Sequence, residues 1–169
     1  MSDANAQTRS AELLSPAVRA EIDQWIAKYP PDQKQSAVMA ALRIVQDANG
    51  GSLTNELMDA VAGYLDMPSM AVYEVATFYS MYELKPVGKH KVCVCTNISC
   101  MLRGSEQIVD HLEKKLGVKL GETTADGEVT LKEVECLGAC TGAPMLQIGS
   151  AYHEHLTPEK VDEILKGLK

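Results

Sequence analysis

The chain has 169 residues, 46% of them hydrophobic, with a formal net charge of −7. Such a composition suits a folded protein with a full core rather than a disordered one. The acidic balance argues against nucleic-acid binding, which needs clustered Lys and Arg, and no run approaches the roughly 20 apolar residues of a membrane span. Residues 1–10 have no apolar stretch and a single Arg, unlike a secretory signal or transit peptide. A soluble cytoplasmic protein is expected, and in a reducing compartment its five cysteines point to metal rather than to disulfides.

The first half reads as helices. Ser15 is a candidate N-cap followed by Pro16 at the first helical position, where its missing N–H costs nothing. Val18, Ile22, Trp25 and Ile26 recur at helical spacing, and Tyr29-Pro30-Pro31 ends the run. A second helix carries Val38, Ala41, Leu42 and Val45 and stops at Asn49-Gly50-Gly51. Thr54 caps a third, with Leu57, Met58, Val61 and Leu65 on its apolar face. Pro68 opens a fourth, with Val72, Val75, Tyr79 and Tyr82 in phase.

Helices three and four have the outline of a helix-turn-helix. However, there is no Lys or Arg between Arg43 and Lys85, whereas Glu56, Asp59, Asp66, Glu74 and Glu83 are acidic. A recognition helix without cations would meet phosphate repulsion, so a packing or docking bundle is expected.

Lys85-Pro86-Val87-Gly88 marks a change of pattern. A strand is expected over 89–95, then a helix with Ile108, Leu112 and Leu116 in phase, closed by Gly117. Strands follow over 128–135 and 145–148, and Gly149-Ser150 turns into a further one at Ala151-Tyr152-His153. Thr157 and Pro158 open a last helix. The order β-α-β-β-β-α, with a parallel crossover first and a hairpin later, is that of a small thioredoxin-like layer. Pro144 stands before the third strand, where such layers often place a cis-proline.

Four cysteines fall as two pairs, Cys95 with Cys100 in C-x4-C and Cys136 with Cys140 in C-x3-C, each pair just after an expected strand. Two adjacent pairs suit a [2Fe–2S] cluster, which takes two thiolates on each iron. Gly138 and Gly142 would let the main chain come close to the sulfurs. Thiolates near the start of a helix after Cys100 would gain from its dipole. Structural zinc is the alternative, since four-cysteine zinc sites use pairs two to four residues apart. Thiol–disulfide exchange of thioredoxin type rests on C-x-x-C, a spacing absent here.

Cys93 lies two residues before Cys95 and on the same face of an extended strand. It reads as a small buried residue in mid-strand, the alternative being that it replaces Cys95 as a ligand. His153 and His155 form an H-x-H pair but lie outside both cysteine pairs, so they read as solvated residues at a strand end. His90 and His111 read as surface positions.

The segments Cys95-Thr96-Asn97-Ile98-Ser99-Cys100-Met101-Leu102-Arg103-Gly104 and Glu135-Cys136-Leu137-Gly138-Ala139-Cys140-Thr141-Gly142-Ala143-Pro144 resemble the two cluster segments of the E subunit family of bacterial NADH:quinone oxidoreductase (respiratory complex I), whose mitochondrial counterpart is flavoprotein 2. Tyr73-Glu74-Val75-Ala76-Thr77-Phe78-Tyr79-Ser80-Met81-Tyr82 resembles the last helix of that family's N-terminal bundle. The resemblance runs from about Ser15 to the C-terminus. It implies a thioredoxin-like [2Fe–2S] ferredoxin domain with Cys95, Cys100, Cys136 and Cys140 as ligands. It further implies a flexible tail over 1–14, a helical docking bundle over 15–85 and the cluster domain over 86–169.

The implied function is electron transfer within a multi-subunit oxidoreductase, with no complete active site in this chain. Single electrons would come from the FMN of the NADH-binding F subunit, and further peripheral-arm subunits would be partners. The complex would sit on the cytoplasmic side of the inner membrane. Equivalent subunits serve NAD-linked hydrogenases and formate dehydrogenases, and a zinc-stabilised interaction module is the non-redox alternative.

Overall fold

The computed structural model describes residues 13–168. The chain divides after Pro86 into two compact units, each built around its own apolar core. Residues 1–12 of the expected tail lie outside the described residues, while Leu14 is buried in the core of the first unit.

The helical unit consists of α1 (Pro16–Ile26), a 3-10 segment (Pro31–Ala37), α2 (Val38–Ala48), α3 (Asn55–Leu65) and α4 (Ser69–Phe78). Two of its starts are set by side chains that satisfy the orphan amides of a helix N-terminus. The Ser15 hydroxyl accepts from Val18 N–H and the Thr54 hydroxyl from Leu57 N–H, each at 3.3 Å. Ile22, Ala41, Leu42, Val45, Met58, Val61, Leu65, Val72 and Ala76 close over one core. Asp66 ends α3 in the left-handed region at φ 57°, a conformation Asp tolerates better than most residues.

Periodicity extends the fourth helix through Tyr79 and Tyr82, but α4 ends at Phe78, with Tyr79 extended. Tertiary hydrogen bonds account for the difference. The buried Gln46 amide donates to Met81 carbonyl at 3.2 Å and accepts from Glu83 N–H at 2.7 Å. The Tyr82 hydroxyl donates to Met39 carbonyl at 2.8 Å, and Leu53 N–H donates to Glu83 carbonyl at 2.7 Å. These bonds draw the chain out of the helix and onto the bundle, and Tyr82 is buried all the same.

The second unit contains β1 (His90–Cys95), α5 (Ile98–Leu102), α6 (Ser105–Leu116), β2 (Val129–Val134), β3 (Leu146–Ile148), β4 (Ala151–His153) and α7 (Pro158–Lys166). The sheet order is β2-β1-β3-β4. β1 pairs in parallel with β2, from His90↔Val129 to Cys95↔Val134, and antiparallel with β3. β3 and β4 form the expected hairpin. This is the α/β layer of a thioredoxin-like domain. Val92 and Val94 of β1, Ile108 and Leu112 of α6, Leu131 of β2 and Val161 of α7 share its core.

Asp162 ties the two long helices, accepting from His111 Nε2 at 2.9 Å and Lys115 Nζ at 3.1 Å. The His111 hydrogen bond first, and Lys115 after it, hold the Asp162 carboxyl below its ordinary value. His111 is therefore a half-buried helix tie and not a simple surface residue. His90 is half-buried too, and its Nε2 has no hydrogen-bond partner among the described residues.

A test of the tertiary capture follows from Gln46. Replacing it with Ala removes the acceptor for Glu83 N–H and the donor to Met81 carbonyl, at a cost of about 2–3 kcal/mol. Urea unfolding should show that loss, and hydrogen exchange should show faster exchange at Glu83. An unchanged exchange rate there would refute the role given to Gln46.

Candidate metal centre

Both cysteine pairs are positioned by the central strand pair. Parallel strands point the same way, so the chain leaves β1 and β2 at the same end of the sheet. Cys95 is the last residue of β1 and faces Val134, the last of β2. Cys136 follows Val134 by two residues, and Cys140 opens the 3-10 turn Cys140–Gly142.

The two pairs differ in environment. Cys95 and Cys100 are buried, at 3% and 2% exposure, and form a small apolar cluster with Ala143 and Met145, flanked by Leu137 and Ala139. Cys136 and Cys140 are exposed. Among the described residues no cysteine forms a disulfide.

Burial first, then a hydrogen bond and repulsion from Cys95, push the Cys100 thiol up, with a smaller push from Cys140. Cys95 and Cys100 share one buried cluster. A hydrogen bond from the Met145 backbone works the other way, favouring the Cys100 thiolate. The Cys95 thiol donates weakly to Glu135 carbonyl, 3.8 Å away. On the exposed loop, Gly138 adopts φ 76° and its N–H donates to Cys136 Sγ at 3.4 Å. Only glycine takes that backbone conformation without strain.

The expected helix after Cys100 is α6, closed by Gly117, and the short α5 precedes it. Asn97 caps α5 by accepting from Ile98 N–H at 2.7 Å, so Cys100 sits inside a five-residue helix. Gly104, at φ 92°, separates α5 from α6.

Cys93 is buried in mid-strand between Lys132 of β2 and Gln147 of β3. The core-facing residues of β1 are Val92 and Val94, so Cys93 shares the opposite face with Cys95. His153 closes β4 and is half-buried, and His155 is exposed with φ 50°. The Ala143–Pro144 peptide is cis.

Sequence reasoning missed the supports of the exposed loop. The Tyr152 hydroxyl donates to Leu137 carbonyl at 2.8 Å, and His155 N–H donates to Gly142 carbonyl at 2.6 Å. Leu156 N–H donates to Pro144 carbonyl at 3.0 Å. Nothing in the local pattern around residues 152–156 signals these bonds, which depend on where β4 lies.

Among the described residues, no three His, Cys, Asp or Glu side chains are grouped so as to hold a metal ion. The thiols stand instead as one buried pair and one exposed pair on a single loop. A binuclear iron–sulfur cluster draws two thiolates to each iron, so the donor set fits that group in kind and number.

The family model for thioredoxin-like [2Fe–2S] ferredoxins matches residues 22–169. The E subunit of NADH-quinone oxidoreductase from Rickettsia felis is 51% identical over 140 residues, covering 83% of this chain and 84% of that protein. The E 2 subunit of the same oxidoreductase from Rhizobium meliloti is 43% identical over 152 residues, covering 90% of this chain and 89% of the relative. Among solved structures, an NAD+-reducing [NiFe]-hydrogenase in its air-oxidised state aligns over 80% of this chain with a TM-score of 0.67 and 17% identity. This chain spans only 24% of that hydrogenase chain, and the likeness is one of fold.

The contrast in burial predicts an order of thiol reactivity. In the metal-free chain, iodoacetamide should modify Cys136 and Cys140 about tenfold faster or more than Cys95 and Cys100, because the loop sulfurs are exposed and the other two are buried. Peptide mass spectrometry over a time course reads this. Equal rates at all four positions would contradict the buried-pair geometry.

Proposed function

The chain belongs to the thioredoxin-like [2Fe–2S] ferredoxin family, and from that premise we propose that Cys95, Cys100, Cys136 and Cys140 hold one [2Fe–2S] cluster in an electron-transfer subunit of an NADH:quinone oxidoreductase. The observation that carries this reading is the parallel β1–β2 register, which delivers both cysteine segments to one end of the sheet. Relatives about half identical over most of the chain bear the name of that subunit. When bound, such a cluster supplies one-electron exchange without proton chemistry of its own.

The chain's residues would do the holding and the tuning. Cys95 and Cys100 present sulfur from a rigid strand end and a short helix, in a pocket closed by Ala143 and Met145. Burial disfavours the Cys100 thiolate in the metal-free state, and metal ions would supply the compensating positive charge. The N–H of Gly138 at Cys136 and the Met145 backbone at Cys100 support negative charge on sulfur. No acid, base or nucleophile is needed for this role.

The partner we propose is the FMN- and NADH-binding F subunit, with other peripheral-arm subunits beyond it. The helical unit over 15–85 would dock there. It exposes Met70, Phe78, Met81 and Leu84, apolar groups of the kind that mark protein contacts. An acidic chain carrying a negative cluster would be complemented by basic groups on that partner. Among the described residues no helix is long and apolar enough to cross a membrane. Within the proposed complex the chain would take a peripheral place on the cytoplasmic side. The shared hydrogenase fold keeps an equivalent NAD-linked hydrogenase subunit as the second reading.

Electron paramagnetic resonance of the anaerobically purified chain tests the proposal. The oxidised sample should be silent, and dithionite should raise one spin-half signal per chain. A fully metal-loaded chain without that signal would point to zinc and end the electron-transfer reading. Cys136→Ser should alter or abolish the signal, whereas Cys93→Ala should leave it unchanged. Loss of iron in Cys93→Ala would transfer the ligand role from Cys95 to Cys93.

A further inference from the structure

Gly142 closes the loop that carries Cys136 and Cys140, and it is buried. Its φ lies outside the left-handed region, unlike that of Gly138. Backbone conformation therefore does not require glycine at this position. Space does, because a Cβ built there would fall within 2.6 Å of both Cβ and Oε2 of Glu154. The half-buried Glu154 side chain thus lies directly on the main chain two residues beyond Cys140.

The surroundings fix Glu154 in place. Tyr152 and His155 on either side of it are bonded to Leu137 and Gly142 carbonyls of the same loop. The Lys160 ammonium is engaged by the Glu154 backbone carbonyl at 2.6 Å. The Glu154 side chain is consequently packed on the main chain of the Gly142 turn, two residues beyond Cys140, between neighbours bonded to the same loop.

We propose that Glu154 is a positioning residue of this site, whose side chain seats the Gly142 turn and whose fixed negative charge lowers the reduction potential of the cluster. The inference rests on the four-cysteine reading above. The electrostatic sign follows from charge. A [2Fe–2S] centre with four thiolates is already anionic, and the added electron makes it more so. A neighbouring carboxylate disfavours that step, by an amount that solvent and salt reduce but do not reverse.

Redox titration of the cluster-loaded full chain, followed by electron paramagnetic resonance, measures this. Glu154→Gln should move the midpoint to higher potential at unchanged iron content, while Glu154→Asp, which keeps the charge, should stay nearer the wild type. Gly142→Ala should lower iron per chain, and pairing it with Glu154→Ala should restore iron by opening the space. If Glu154→Gln titrates with the wild type, the charge role is overturned. Full iron content in Gly142→Ala overturns the seating role. A wild-type chain that never yields the [2Fe–2S] signal overturns the cluster reading and this inference together, whereas a normal wild-type signal with unmoved variants overturns the inference alone.

Discussion

Everything at the candidate centre depends on the register of one parallel strand pair. Opposing Cys95 to Val134 starts both cysteine loops from the same end of the sheet. A slip of one residue would shift Cys136 by about 3.3 Å along the strand and turn the side chains of β2 to the other face. The core resists that slip, because Val129 and Leu131 of β2 pack with Val92 and Val94 of β1. Thr130, on the opposite face, adds a polar lock by accepting from Gly88 N–H at 2.6 Å. Burial on one face and a hydrogen bond on the other thus specify where four sulfur atoms begin.

From that common origin the two pairs are held by different forces. Cys95 and Cys100 are fixed by packing, since they are part of an apolar cluster. Cys136 and Cys140 are exposed, and their loop is held by backbone and hydroxyl hydrogen bonds from residues 152–156. The Cys100 thiol of the buried pair resists ionisation without metal, while the exposed pair is carried by a loop. The proposed metal binding would therefore couple to proton release at Cys100 and to loop order at the exposed pair.

Much of this was legible in the sequence. Ser15, Thr54 and Thr157 each cap the helix expected of them, because a cap is a local hydrogen bond and leaves a local signature. The β-α-β-β-β-α order and the hairpin at Gly149-Ser150 were legible for the same reason. The misses share a different physical cause. Tyr79 and Tyr82 keep helical phase but leave the helix under bonds that span 43 residues to Met39 and 37 residues to Gln46. Gly142 reads in the sequence as room for the main chain near sulfur, whereas its packing against Glu154 has no local signature, since only the placement of β4 brings them together.

Cys93 illustrates how far a periodicity argument reaches. Period-two alternation puts it on the same face as Cys95, which by itself leaves either residue free to act as a ligand. The pairing separates them. Cys93 has Lys132 on one side and Gln147 on the other, with strand on both flanks. Cys95 is where β1 stops, and its N–H already reaches across to Met145 carbonyl at the start of the next segment. Along the strand, Cys93 stands two residues, about 6.6 Å, further than Cys95 from the loops that carry the other cysteines. Position in the ladder, more than side-chain direction, therefore favours Cys95 over Cys93 as the proposed ligand.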